Sequence, residues 1–296
     1  MRTLLAAFLL GTTACSTPVI EPGPIVGAQL YTVRESMAAD PLATLRRVAD
    51  LGYREVEIAG TFGAKPEAIC QQTRALELRV AAVHADWRLL RTDPAAAIAE
   101  TRALCSYTLI LAWLPEDQRQ TLAQWRDWVE HLNRIADLAE REGVRIAYHA
   151  HDFEFAEIDG IRPIDLLMDE LDPRIGFELD TYWLAHAGED PLRFLQQHAD
   201  RVTHLHLKDM AGDGSMADVG EGTLPLTQII IQAQQQGVRH FLVERDDAFD
   251  PWASLAASLD SLRAMPLQQD TTSNAFRSAN PSVSYTHLTL PTIYSV

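Results

Sequence analysis

Cysteine is scarce, with three in 296 residues, too few for a disulfide framework. Cys70 and Cys105 fall on predicted helices and read as buried small apolar residues, although export would permit a disulfide. Basic charge is short: 25 Lys and Arg stand against 41 Asp and Glu, a net charge of −16. An acidic surface repels phosphate backbones, which excludes nonspecific nucleic-acid binding. Past the N-terminus there is no run of 18 apolar residues, so the body holds no membrane-spanning helix. No GxGxxG follows the first apolar run, which removes the dinucleotide fingerprint of a doubly wound sheet. What is present is 47% hydrophobic and 22% charged, too apolar for a disordered chain.

The two ends separate from the body. In residues 1–15, Arg2 precedes a short apolar run, Leu4–Leu10, and small residues lead to Cys15. This is the layout of a secretory signal. It resembles a bacterial lipoprotein signal, in which the cysteine becomes the lipidated first residue; Thr12 stands where that pattern usually has leucine. The expectation is an exported, periplasm-facing or cell-surface protein whose membrane contact is a lipid anchor at Cys15. Residues 16–23, with Pro18 and Pro22, read as a tether. Residues 268–296 are polar and aperiodic, and Val283–Thr292 resembles the translated end of a transposon-type sequencing adaptor. That tail is set aside from fold reasoning, and His287 receives no functional weight. Residues 24–267 remain, close to the ~250 residues typical of a (β/α)8 barrel.

Short apolar runs alternate with amphipathic stretches through this body. The pattern predicts strands at Val26–Tyr31, Glu55–Ile58, Val80–His84, Tyr107–Trp113, Arg145–His149, Ile175–Asp180, Val202–Leu207 and His240–Glu244. Helices are predicted at Pro41–Leu51, Pro66–Leu78, Pro94–Cys105, Leu122–Glu142, Pro163–Leu171, Pro191–His198, Leu226–Gln236 and Pro251–Arg263. Most open on proline, the favoured first helical position. Asp40, Asp93, Asp190 and Asp250 precede such prolines as N-caps. Strand–helix units of about 30 residues, repeated eight times, predict a single α/β domain, a (β/α)8 TIM barrel.

Side chains alternate across a strand. Leu205 and Leu207 share one face of the seventh strand; His204, His206 and Lys208 share the other. Phe177 and Leu179 oppose Glu178 and Asp180, and Phe241 and Val243 oppose His240 and Glu244. If the apolar faces meet the helices, these polar residues point into the barrel with Gln29, Glu57, His84 and His149. Buried unpaired charge is costly, so many polar groups at the C-terminal strand ends mark a site. Glu154, Asp180, His206 and Glu244 stand out. Three converging carboxylates repel strongly, and one divalent metal relieves them. Mn, Mg, Co or Zn all suit oxygen and imidazole ligands.

The motifs LGYREVEIAG (Leu51–Gly60), YHAHDFEF (Tyr148–Phe155), ELDTYW (Glu178–Trp183), HLHLKD (His204–Asp209) and VGEGTLPL (Val219–Leu226) resemble the xylose isomerase-like barrels known as sugar phosphate isomerases/epimerases. The resemblance implies metal ligands at Glu154, Asp180, His206 and Glu244. Two departures stand out. Ala150 replaces an asparagine frequent in the secreted branch, and Trp183 replaces a histidine of ketose 3-epimerases. Substrate contact is expected from His84, His149, His151, Lys208, Trp183 and Glu57. Each also has a plainer role. Lys208 could pair with Asp209 or Glu178, His84 with Glu57, and His149 and His151 could orient neighbours. Trp113 and Trp183 could stack on a sugar or simply pack. Gly220 and Gly222 suit a tight loop, with no phosphate site inferred.

The expected chemistry is epimerisation or isomerisation of a keto-sugar through an enediolate, with the metal as Lewis acid. Glu154 and Glu244 would be ligands and acid–base partners on opposite faces of the substrate carbon. Two alternatives use the same residues: a 3-keto-glycoside lyase or dehydratase, and a sugar-binding lipoprotein without turnover. The partner is a small keto-sugar or glycoside. An apurinic endonuclease needs more metal ligands than are found. A homo-oligomer is compatible with the sequence.

Overall fold

The computed structural model describes residues 25–267. Eight parallel strands close into a barrel: β1 (Ile25–Gln29), β2 (Glu55–Ile58), β3 (Arg79–His84), β4 (Thr108–Leu111), β5 (Arg145–His149), β6 (Gly176–Asp180), β7 (Val202–Leu207) and β8 (His240–Val243). Each neighbours the next, and β1 pairs with β8 to close the ring. The main helices are α1 (Pro41–Leu51), α2 (Pro66–Ala75), α3 (Pro94–Ala103), α4 (Leu122–Arg141), α5 (Pro163–Glu170), α6 (Pro191–Gln197), α7 (Leu226–Gln235) and α8 (Pro251–Ala264). The expected (β/α)8 architecture is therefore observed, with element ends displaced by a few residues at most. The signal-like segment and the tail lie outside the described residues. Among the described residues no helix is long and apolar enough to cross a membrane.

Local chemistry starts the helices. The Asp40, Asp93, Asp190 and Asp250 carboxylates accept from backbone N–H groups in the first turns of α1, α3, α6 and α8, satisfying donors that the helix leaves unpaired. Thr121 and Gln124 form a reciprocal capping box on α4. The strands' apolar faces, including Phe177, Leu179, Leu205, Leu207, Phe241 and Val243, pack in the main buried core. Ala82, Ile110, Ala112 and Ala147 form a separate small cluster. The polar face is thus free to look inward.

The register of β6 against β7 shifts by one residue. Phe177 is level with Val202, but Glu178 is level with His204 and Asp180 with His206. Thr203 is the extra residue, and Gly176 accommodates it: a Cβ there would lie 2.7 Å from Thr203 Cγ2. Without the shift Asp180 would sit opposite Leu205, on the other face. Such irregularities re-aim side chains near active sites.

Lower in the barrel, His240 Nδ1 lies 3.0 Å from Glu55 Oε1, and the His240 and His204 rings stack at 4.6 Å. Cys70 and Cys105 form a disulfide, with Cα atoms 5.3 Å apart. This corrects the expectation of two separate apolar residues: α2 and the end of α3 bring them together.

After β7 a short antiparallel pair, Asp209–Met210 with Met216–Ala217, opens the VGEG loop. The buried Asp209 carboxylate accepts from the backbone N–H groups of Met210, Gly220, Gly222 and Leu224 at 2.9–3.1 Å. A Cβ at Gly222 would come within 2.2 Å of Asp209 Oδ1. The loop is closed by its own carboxylate. Asp209→Ala should cost about 2–4 kcal/mol, because buried donors lose a charged acceptor. Urea unfolding of the two proteins measures it; an unchanged midpoint would refute the role.

Candidate metal centre and active-site cavity

The inward residues of six strands meet around His206. His206 Nε2 lies 2.6 Å from Glu57 Oε2 and 3.1 Å from Glu178 Oε2; its Nδ1 lies 2.8 Å from Glu244 Oε2 and 3.8 Å from Asp180 Oδ2. Glu178 Oε2 also contacts His149 Nδ1 at 2.9 Å and His84 Nε2 at 3.1 Å. Gln29 Nε2 donates to Glu57 Oε2 at 2.7 Å. Glu57, Glu178, Asp180 and His206 are buried.

Electrostatics follow from this crowding. Burial opposes charge on His206, but the carboxylates of Glu178, Glu244 and Glu57 outweigh it and hold its pKa well above the ordinary value. Burial likewise opposes charge on His84, yet Glu57 and Glu178 raise it to about 9. Burial works against ionised Glu178 and Glu244, while His206 for both, His149 for Glu178 and Lys208 for Glu244 drive their pKa values well below the carboxylate range. The centre is an excess of carboxylate balanced by protons on imidazoles.

These residues fit a divalent cation. His206 belongs to two groups whose potential ligand atoms lie within 4.8 Å of one another: His84, His149, Glu178 and His206, and Asp180, His206 and Glu244. Among the described residues, Glu57 Oε1 and Glu178 Oε1 are buried without a hydrogen-bond or ion-pair partner of their own, a costly state that an ion relieves. Mixed imidazole and carboxylate ligands suit Zn, Mn and Co, and Mg less well.

Three of the four anticipated ligands, Asp180, His206 and Glu244, therefore converge. Glu154 does not join them. Its oxygens are taken by Tyr148 Oη at 2.5 Å and the His151 backbone N–H at 2.8 Å, and burial raises its pKa to about 7. The loop after β5 folds it into the wall. Glu178 and His149 stand instead in the group with His84 and His206 that could hold an ion. Glu178 lies two residues before Asp180, on the same strand face, and that spacing was its signal.

Lys208 is buried, with Nζ 3.0 Å from Asp180 Oδ2, 2.9 Å from Glu244 Oε2 and 3.0 Å from Asp246 Oδ2. Burial disfavours its charge, but these three carboxylates raise its pKa and keep it a cation. The plainer alternative for Lys208, a pair with Asp209 or Glu178, is not made: Asp209 serves the loop and Glu178 the imidazoles.

A cavity of about 1150 Å³ opens at the mouth, lined by His84, Trp113, His151, Trp183, Lys208 and Glu244 among others. His149 also reaches it, whereas Glu57 sits beneath, engaged with His206, His84 and Gln29. Trp183 lies 5.6 Å from the Lys208 Nζ and from the His151 ring. His151 Nδ1 has no hydrogen-bond partner among the described residues. Burial, together with nearby His149 and Lys208, holds its pKa well below the ordinary histidine value, so the imidazole stays neutral.

The family profile described as xylose isomerase-like TIM barrel matches residues 45–265. An inosose dehydratase of Geobacillus thermodenitrificans is 40% identical over 91 residues, covering 30% of each chain. Inosose dehydratases of other bacteria match at lower identity over longer spans. The chain spans less than two thirds of the length of the curated relatives it matches. A sugar phosphate isomerase/epimerase structure from Parabacteroides distasonis superposes with a TM-score of 0.69 and 24% identity, covering 83% of this chain and 99% of that one. An IOLI protein structure with a bound zinc atom superposes with a TM-score of 0.64 and 13% identity, covering 80% and 96%. The expectation of an exported lipoprotein is corrected by these findings. The relatives that carry the resemblance through the barrel include inosose dehydratases of several bacteria. Export and the Cys15 anchor are not carried forward.

Proposed function

The chain belongs to the xylose isomerase-like TIM barrel family, and from that premise we propose that it is a divalent-metal-dependent lyase that removes water from a cyclic polyhydroxylated ketone. One observation carries the choice of lyase over epimerase. The cavity presents an unpartnered neutral base, His151, while Glu154, the second acid–base group an epimerase would use, is bound to Tyr148 and the backbone. Replacing a proton on the opposite face needs two groups; elimination needs one.

Asp180, His206 and Glu244 would hold the ion, with His149 and Glu178 beside them. When bound, it supplies Lewis acidity that makes the proton next to a ketone easier to remove. His151 takes that proton on Nδ1. The C–O bond at the adjacent carbon breaks as the C=C bond forms, and the departing hydroxyl takes the proton back from His151 and leaves as water. Lys208 offsets part of the negative charge of Asp180, Glu244 and Asp246, and Trp183 closes one wall. The relatives' names, inosose dehydratase, support a cyclic ketone as substrate.

The test is mass analysis of an inosose incubated with manganese-loaded protein. The expected product is the starting ketone less one water. An isomeric product that has lost no water and carries solvent deuterium would establish the isomerase reading instead. Neither product nor exchange would overturn both.

A further inference from the structure

Two arginines of the cavity, Arg88 and Arg119, have no role in that chemistry; Arg88 lies over the Trp87 ring, Cζ 4.5 Å from the centroid. Arg119 follows the short 3-10 turn Glu116–Gln118 after β4 and lines the same cavity as His151 and Lys208. Its guanidinium lies over the Phe153 ring, Cζ 3.6 Å from the centroid, and Nε donates to the Leu114 carbonyl at 3.0 Å. The Arg119 carbonyl in turn accepts from Trp125 Nε1 at 3.1 Å. Nη1 and Nη2 have no hydrogen-bond or ion-pair partner among the described residues. Lys208, by contrast, is enclosed by three carboxylates. Asp86, Glu100 and Asp152 share the cavity wall, and none pairs with Arg119.

We propose that Arg119 binds a carboxylate carried by the substrate in this cavity. The inference rests on the polyhydroxylated-ketone reading above and adds acid-bearing ketones to the substrates it admits. Three features carry it. The guanidinium is held flat and tied through Nε, so binding costs little further side-chain entropy. The two free Nη groups form a fork that matches the two oxygens of a carboxylate. Phe153 also stacks on His151, with centroids 5.3 Å apart at 12°, so the fork stands one ring away from the base. A substrate held there presents its other end to His151. A phosphate dianion fits less well, because one guanidinium would face two charges in a cavity already rich in carboxylate.

The experiment is calorimetric binding, at fixed ionic strength, of D-glucuronate, D-glucose and D-glucose 6-phosphate to manganese-loaded wild type, Arg119→Gln and Arg119→Lys. Glucuronate should bind the wild type on the order of tenfold to a hundredfold more tightly than glucose, the range for a charge-assisted pair. That ratio should fall towards one in Arg119→Gln. It should fall at least severalfold in Arg119→Lys, which keeps the charge and loses the fork. If the glutamine variant fails to fold, the wild-type and lysine ratios decide. Equal binding of the two neutral and acidic sugars, no glucuronate binding, a ratio that survives the substitutions, or tighter binding of the phosphate overturns the proposal. Binding is read without turnover. A retained ratio with no dehydration of inosose sinks only the lyase reading, and dehydration with a ratio near one sinks only this one.

Discussion

His206→Ala should abolish stoichiometric metal binding and lower turnover by well over a hundredfold. Removing even an outer hydrogen-bond partner of a metal ligand costs about 10–100-fold in affinity or activity, and His206 is no outer partner. It belongs to both ion-holding groups and touches Glu57, Glu178 and Glu244. Its loss leaves three buried carboxylates facing one another with less positive charge between them. Circular dichroism must show the variant folded, and metal analysis after dialysis then reads the site. Glu154→Gln is the companion. Because Glu154 serves Tyr148 and the His151 backbone, this variant should keep its metal. One metal per chain retained in His206→Ala, or metal lost in Glu154→Gln, would disprove the assignment of ligands drawn from the structure.

The second large effect is expected at His151. His151→Gln should lower kcat by about 10²–10⁴-fold, the usual contribution of a positioned acid–base group, while metal stoichiometry stays unchanged and KM moves little. That split separates a proton-transfer role from a purely structural one. A packing defect beside Phe153 and His149, which the ring contacts there make conceivable, would shift the melting transition and the metal content together. Wild-type kcat in the variant would remove His151 as the base and return attention to Asp246, whose pKa burial and the nearby Glu244 raise to about 7.

The site was only partly legible in the chain. Asp180, His206, Lys208 and Glu244 could be found because strand alternation is a two-residue rule, and each stood opposite an apolar neighbour. Glu154 was misplaced for the complementary reason. It lies in a loop, where no periodicity says which way a side chain turns, and it bonds a tyrosine hydroxyl and a backbone N–H outside the carboxylate–imidazole cluster. Arg119 was missed altogether. An arginine in a polar loop looks like any solvated charge until Phe153, from a different strand–helix unit, is seen beneath it.

Sequence alone determined the eight strand–helix units, the aspartate caps, the inward polar faces and the chemical types gathered there. All of these depend on residues a few positions apart, whose interactions are written in local order. Tertiary structure decided which inward residues meet. The extra residue Thr203, lodged against Gly176, brings Asp180 level with His206. Barrel closure sets Glu57 of β2 against His206 of β7 at 2.6 Å, across 149 positions of chain. Packing also joined Cys70 to Cys105. Such contacts depend on register and closure summed over every element, and no short stretch of sequence contains that sum.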